Sequence, residues 1–395
     1  MTQQALSRHA PAYLGGDRWT AAGIVHFVFD RFLLLPLGAA IALVWANTAG
    51  ESYFAFAHQL AFPVNEIAMA FFFGLLTQEL VEAVMPGGAL HTWRRWSTAI
   101  VAAIGGIAGA AGVYLAVVQL KYETLLIPGW PVACAVDAAA AYYLLRLLYP
   151  RSAVLPFALL LAIVTNIFGV IVVGLSGVTL EVRAGGVALM VLAMAVAAAL
   201  RMQKVRSFWP YLAIAGTLSW LAFYVEGMHP AFALVPIVPF LRHEPRRLDL
   251  FADPPDDDAT HHYEHEWNVL VQVILFFFGL VNAGVLLRQY DTGTWAILAA
   301  ALVGRPVGIM LAVGLAVLAG LHLPKRMGWR ELVVVALATS SGFTFALFFA
   351  TGLFPMGPTL SQIKMGALAT VIGALLTFGA ARLLHVGPRA SRQTR

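Results

Sequence analysis

Glu66, Glu79, Glu82, Asp137 and Arg305 are ionisable side chains in stretches that are otherwise apolar. Charges at bilayer depth are costly and usually mark ion or proton pathways. A carboxylate there can ligate a cation, carry a proton or neutralise a helix end. Arginine is effectively always protonated, so Arg305 is suited to binding and neutralising rather than to carrying a proton. Glu66 and Glu82 fall near the ends of one apolar segment, where water is expected to reach them. Glu79 is placed either facing a cytoplasmic funnel or paired with a loop arginine. Asp137 and Arg305 sit deeper, Arg305 in "LVGRPVGI". A different polar signal lies in "LAIVTNIFGVIVVGL", Leu161–Leu175, where Thr165 and Asn166 stand side by side in apolar surroundings. Both side chains offer oxygen and hydrogen bonds, and neither releases a proton near neutral pH.

The elements that position these groups follow from composition. The chain has 395 residues, 60% hydrophobic and 11% charged. Soluble domains carry about 25% charged residues. The class is an all-α integral membrane protein, since a spanning helix needs about 20 mostly apolar residues and the apolar runs are long and do not alternate. About twelve transmembrane helices are expected: Arg31–Ala46, Val64–Val84, Trp96–Leu120, Pro131–Leu148, Val154–Leu175, Gly185–Leu200, Phe208–Val225, Pro230–Leu241, Asn268–Leu287, Thr294–Leu321, Leu332–Phe354 and Lys364–Leu384. They form one transporter domain over 31–385, with a cytoplasmic segment at 1–30, a cytoplasmic loop at 242–266 and a tail at 386–395. Met1–Gly23 lacks the apolar core of a signal peptide. The single cysteine, Cys134, excludes an intramolecular disulfide.

The net charge of +5 is distributed as a topology signal, not as a nucleic-acid patch. Arg94, Arg95, Arg146, Arg151, Arg201, Lys204, Arg206, Arg242, Arg246, Arg247, Lys325, Arg326, Arg330 and the basic residues of both termini fall on one side of the span map. Lys121, Arg183, Arg288 and Lys364 fall on the other. The positive-inside rule then places both termini of a multi-pass membrane protein in the cytoplasm.

Two spans read as broken. "PGWPVACAVDAAAAYY" has Pro128 and Pro131 ahead of Asp137, and "ALATSSGFTFALFFATG" has Ser340, Ser341, Gly342 and Thr344 where a helix favours Ala and Leu. Each is the middle helix of a three-span set, spans three to five and ten to twelve. Interrupted helices at matching positions of two halves point to inverted-topology repeats and a secondary transporter with a midplane site. The breaks are expected to cross, with Asp137 and Arg305 close by. Broken helices leave partial charges at their ends, so these two side chains read first as compensators of helix dipoles.

The ordered set "WANTAG", "MAFFFGLLTQEL", "AAIGGIAGA", "GVIVVGL", "EGMHPAFAL", "FGLVNAGVLL", "GRPVGI" and "SGFTFALFF" resembles the NhaA-type sodium/proton antiporters over nearly the whole chain. Inverted repeats are a described property of that family, so the resemblance and the repeat reading are not independent. The resemblance implies an NhaA-like fold with crossed broken helices four and eleven, and cation/proton exchange by alternating access. It implies Na+ or Li+ with H+ as cargo, no cofactor and no resident metal. The family's two adjacent cation-binding aspartates fall on Thr165 and Asn166. Its Thr-Asp pair falls on Val136 and Asp137, its span-ten lysine on Arg305 and its funnel glutamate on Glu79, with Glu82 nearby. His262 and His265 are similar to histidines of the family's pH-sensing region. "HHYEHE", His261–Glu266, is weighed as a metal site, a pH-responsive cluster or a solvated loop, and the last is favoured. "NTAGESYFAFAHQLAFPVNE" is expected to be a loop too short for the β-hairpin through which the family dimerises, so a homodimer is expected only through a contact other than the family hairpin. The expected partners are the bilayer, small cations and protons.

With both span-five charges absent, weak sodium binding and little proton-coupled sodium transport are expected unless Asp137 has become the carrier. The alternatives are the same scaffold moving another solute, or working without protons, or a non-transporting membrane sensor.

Overall fold

The computed structural model describes residues 34–84, 93–149, 152, 154–176, 183–205, 207–241, 259–324 and 327–386. Among them every regular element is helical. In chain order these are α1 (Leu34–Thr48), α2 (Gly50–Phe62), α3 (Met69–Val84), α4 (Trp93–Leu120), α5 (Trp130–Cys134), α6 (Ala138–Leu148), α7 (Val154–Leu175), α8 (Ala184–Met202), α9 (Thr217–Val225), α10 (Ala259–Asn282), α11 (Thr292–Ala299), α12 (Arg305–Leu318), α13 (Trp329–Ala338), α14 (Phe343–Leu353), α15 (Pro358–Ala369) and α16 (Ile372–Leu383). Wider π turns, Pro63–Ala68 and Ala300–Gly304, join α2 to α3 and α11 to α12, and another, Tyr211–Gly216, leads into α9.

Two predicted spans are broken as expected. Thr124–Cys134 bends by 44° against α6, and α13 bends by 48° against α14. The proline pair leads α5 in, with Pro131 early in the helix, where its missing N–H costs nothing. α5 then ends after one turn at Cys134, and Ala135 is extended. α13 ends at Thr339, and the chain resumes as a helix after Gly342.

The breaks are held by tight packing around them. α4 crosses α12 through small residues, the device by which helices approach closely in lipid. A Cβ at Gly109 would collide with the carbonyl oxygen of Gly304, and one at Gly308 with that of Gly105. α1 and α10 meet in the same way, since Gly38 faces the Phe276 carbonyl and Gly279 the Leu35 carbonyl. The largest core cluster joins Phe73, Phe232, Phe278 and the run Phe343–Ala350 of α14.

Four expectations need correction. The Asn47–Glu66 stretch is not a loop: α2 begins at Gly50 and runs through the π turn into α3. Glu51, His58, Gln59 and Pro63 make the stretch read as a connection, but Pro63 opens the π turn, where a missing N–H is tolerated. Glu66 is therefore well inside a 29-residue apolar span, Gly50–Gln78, and not near its end. Pro230–Leu241 forms no span helix, only short 3-10 turns at Pro230–Phe232 and Val238–Phe240. Pro230, Pro236 and Pro239 each remove a donor from the helical ladder. The ninth span begins at Ala259 and ends at Asn282, so the 242–266 loop is helical from Ala259 onward. The remainder of that loop, 242–258, lies outside the described residues, as do 1–33 and 387–395.

Candidate functional site

The two breaks touch. The N–H of Asp137 donates to the carbonyl of Ser341 at 2.7 Å. A Cβ on Gly342 would press on the carbonyl oxygen of Ala135 at 2.5 Å, so only glycine lets the backbones lie this close. The Gly342 N–H donates to Thr370 Oγ1 at 3.2 Å. Thr370 lies in a third interruption, between α15 and α16.

Asp137 caps α6. Its Oδ1 accepts from the Ala140 N–H at 3.0 Å and its Oδ2 from the Thr344 hydroxyl at 2.7 Å. Thr344 lies in the first turn of α14. One carboxylate thus faces the N-terminal ends of two half-helices, where partial positive charge collects.

Arg305 occupies the complementary position. It is 1% exposed. Its Nη1 donates to the carbonyl of Thr339, which caps the C-terminus of α13, and its Nη2 to the carbonyl of Ala133 in the last turn of α5 at 3.0 Å. Its Nε has no hydrogen-bond partner among the described residues. The guanidinium therefore bridges two C-terminal ends, where partial negative charge collects. Asp137 and Arg305 do not pair: Asp137 is engaged by Ala140 and Thr344, and Arg305 by backbone carbonyls.

Asn166 has a structural task at the same place. Its Nδ2 donates to the Val136 carbonyl at 2.8 Å, and its Oδ1 accepts from the Val136 N–H at 3.1 Å. The amide thereby satisfies both backbone groups of a residue that the break leaves without helical partners, which burial requires. Thr165 donates back along α7 to the Leu161 carbonyl at 2.8 Å. Its oxygen keeps lone pairs for an incoming group. Ser340 likewise donates within its own helix, to Ala336 at 2.9 Å.

The crossing therefore brings together Asp137, Ser341, Gly342 and Thr344, joins Asn166 to it through Val136, and closes its other ends with Arg305. Pro131 leads α5 toward it. Sequence reasoning missed Thr339 and Thr370, whose contributions are a carbonyl and a hydroxyl at helix interruptions. The only cue for Thr370 is a threonine between two apolar runs. Glu79 and Glu82 lie in the backbone of α3, and His262 and His265 in that of α10, but their side chains are outside the described residues. His229 was also missed. It faces Glu66, with Nδ1 and Oε2 3.0 Å apart.

The model of the family "Na+/H+ antiporter 1" matches residues 30–381. A protein of Desulfitobacterium hafniense named Na(+)/H(+) antiporter NhaA is 38% identical over 375 residues, covering 92% of this chain and 96% of the relative. A similarly named protein of Geotalea uraniireducens is 36% identical over 373 residues, covering 91% and 97%. Among solved structures, the sodium proton antiporter MjNhaP1 of Methanocaldococcus jannaschii shares the fold, with a TM-score of 0.56 at 16% identity over 92% of this chain and 94% of that one.

Proposed function

This chain belongs to the Na+/H+ antiporter 1 family, and from that premise we propose that it exchanges a monovalent cation, sodium or lithium, for protons by alternating access in a bacterial inner membrane. The observation that carries the reading is the crossing itself. Two interrupted helices meet with a carboxylate between their N-terminal ends and a guanidinium between their C-terminal ends. Irregular backbone at membrane depth is tolerated where it is enclosed by protein or lines a cavity. Here it exposes peptide dipoles and one anionic side chain to an ion.

Asp137 is the charged ligand in this reading, joined by the Thr344 hydroxyl oxygen already 2.7 Å away. Thr165 supplies a neutral oxygen from α7, while Asn166 keeps the extended residue Val136 in place. The electrostatics set a modest affinity. The carboxylate faces two helix N-termini of roughly half a positive charge each, so its own charge is largely offset and a cation gains little long-range attraction. Basic residues on one side of the spans support both termini being cytoplasmic. Exchange is favoured over an uncoupled carrier or a sensor, because the family match runs through the interrupted helices and not only the outer spans.

The test is the purified protein in liposomes with an imposed proton gradient, challenged with sodium, lithium and potassium. Collapse of the gradient by sodium or lithium is expected. A gradient unmoved by every monovalent cation would overturn the reading.

A further inference from the structure

Exchange needs a group that gives up a proton, and the crossing offers few. Thr165 and Asn166 do not titrate, and Asp137 is the cation's ligand in the proposed exchange, held by Ala140 and Thr344. An acid–base contact lies elsewhere among the described residues, between Glu66 Oε2 and His229 Nδ1 at 3.0 Å. On this reading of the protein as an antiporter, we infer that the Glu66–His229 pair is the site that carries the exchanged proton.

Several observations converge on the pair. Glu66 lies in the π turn within the Gly50–Gln78 span, and such turns recur at functional sites. Its side chain is 23% exposed and that of His229 11%, so the pair is largely enclosed by protein. Among the described residues neither Glu66 Oε2 nor His229 Nδ1 has a hydrogen-bond partner, and their mutual contact lies outside hydrogen-bond geometry, so both atoms are free to take or give a proton. Among the described residues, the groups in contact with the pair are neutral. The Trp220 indole donates to the Glu66 carbonyl, and the rings of Phe348 and Phe232 lie 4.9 and 5.8 Å from the His229 ring. The Asn65 and Asn282 amides pair with each other beside Glu66. The titratable group next along the chain from His229, Glu226, is turned to the Arg183 N–H at 3.2 Å.

The pair also touches the element that the cation touches. α14 carries Thr344, which binds Asp137, then Phe348, whose ring lies tilted against that of His229, then Gly352, where a Cβ would lie 3.1 Å from the His229 ring. These residues are spaced i, i+4, i+8 and share one helix face. Thr344 and Gly352 are about 12 Å apart along the axis. An ion that pulls the Asp137 carboxylate from the Thr344 hydroxyl loosens the first turn of α14, and the same half-helix meets the His229 ring through Phe348 one turn later.

The proton step balances without a co-reactant. With one proton on His229 Nδ1 facing the Glu66 carboxylate, the pair is net neutral. Release of that proton to water leaves a neutral imidazole beside a carboxylate, net −1, and uptake restores the pair. One cation bound at the crossing and one proton on the pair are thus alternative ways of supplying the same positive charge to the half-helix.

The experiment uses the full chain in liposomes and two readouts: exchange of radiolabelled sodium for sodium, which needs no net proton movement, and sodium-driven proton movement. Glu66→Gln and His229→Gln are each expected to keep isotope exchange and lose proton movement to the level of empty vesicles, while Glu66→Asp keeps both. Proton movement at the wild-type rate in Glu66→Gln and His229→Gln would overturn the inference. So would loss of isotope exchange in both variants and in Glu66→Asp, which would make the pair structural. A wild-type protein that exchanges isotope without moving protons overturns this inference alone, whereas one that does neither overturns the antiporter reading with it.

Discussion

Asn166 offers Val136 a donor and an acceptor at once, and an ionised carboxylate cannot. Asn166→Asp keeps an acceptor for the Val136 N–H and loses the donor to the Val136 carbonyl. A buried carbonyl left unpaired costs about 1–3 kcal/mol. Asn166→Asp and Asn166→Ala are therefore both expected to lower the melting temperature, with the Asp variant recovering at low pH, where a protonated carboxyl can donate. Equal melting temperatures for all three proteins would contradict the pairing. Restoring the family's two aspartates at 165 and 166 thus carries a structural penalty beside any gain in cation attraction. At Arg305 the loss is larger, because two helix-end carbonyls lose their donor together. Arg305→Ala is expected to destabilise by roughly 2–5 kcal/mol. Arg305→Lys should do so by less, since it keeps the charge but lacks the planar fork that reaches two carbonyls. A Lys variant as unstable as the Ala variant would argue against dipole compensation. The sequence made Asp137 and Arg305 visible as costly charges, and their roles as compensators were readable from the breaks beside them. Their actual partners were not, because the partners are backbone carbonyls and N–H groups that any residue type supplies.

The half-helices depend on how closely their breaks approach. Gly342→Ala places a methyl group against the Ala135 carbonyl oxygen. Such overpacking typically costs about 1–3 kcal/mol, and it would separate the Asp137–Ser341 and Asp137–Thr344 contacts that define the crossing. The expected outcome is a lower melting temperature together with weakened sodium-driven proton movement. A fully active, fully stable Gly342→Ala protein would show that the breaks do not need this contact. The interruptions themselves were legible, since Pro128, Pro131, Ser340, Ser341 and Gly342 disfavour a continuous helix and polar breaks are rare in apolar runs. α7 matched its predicted bounds for the converse reason, being apolar throughout except for Thr165 and Asn166. α2 was hidden by Glu51, His58 and Gln59, which are exposed, and by Pro63, which a π turn accommodates. The Pro230–Leu241 stretch misled in the opposite direction: its hydropathy is that of a span, while its three prolines leave only 3-10 turns.

Across the whole molecule, the interrupted helices sit among tightly crossed small-residue helices, while α14 reaches from the crossing to the Glu66–His229 pair. The basic loops imply that both ends of the chain share one side. With Cys134 replaced by Ala, Gln289→Cys should react with a membrane-impermeant thiol reagent in intact cells, and Gln203→Cys only after permeabilisation; the reverse pattern would invert the orientation. Fold class and the repeat were legible from apolar run length and the position of the breaks, whereas the Glu66–His229 contact joins residues far apart in sequence and no spacing rule announces it. The claim on which the account turns is that a single carboxylate, Asp137, is the charged ligand for the cation. Isothermal titration with sodium and lithium at mildly alkaline pH, repeated in two buffers of different ionisation heat, tests it directly. The account predicts weak binding with release of no more than a single proton, and no binding in Asp137→Asn. Binding that survives in Asp137→Asn, or tight native binding with about two protons released, would contradict it.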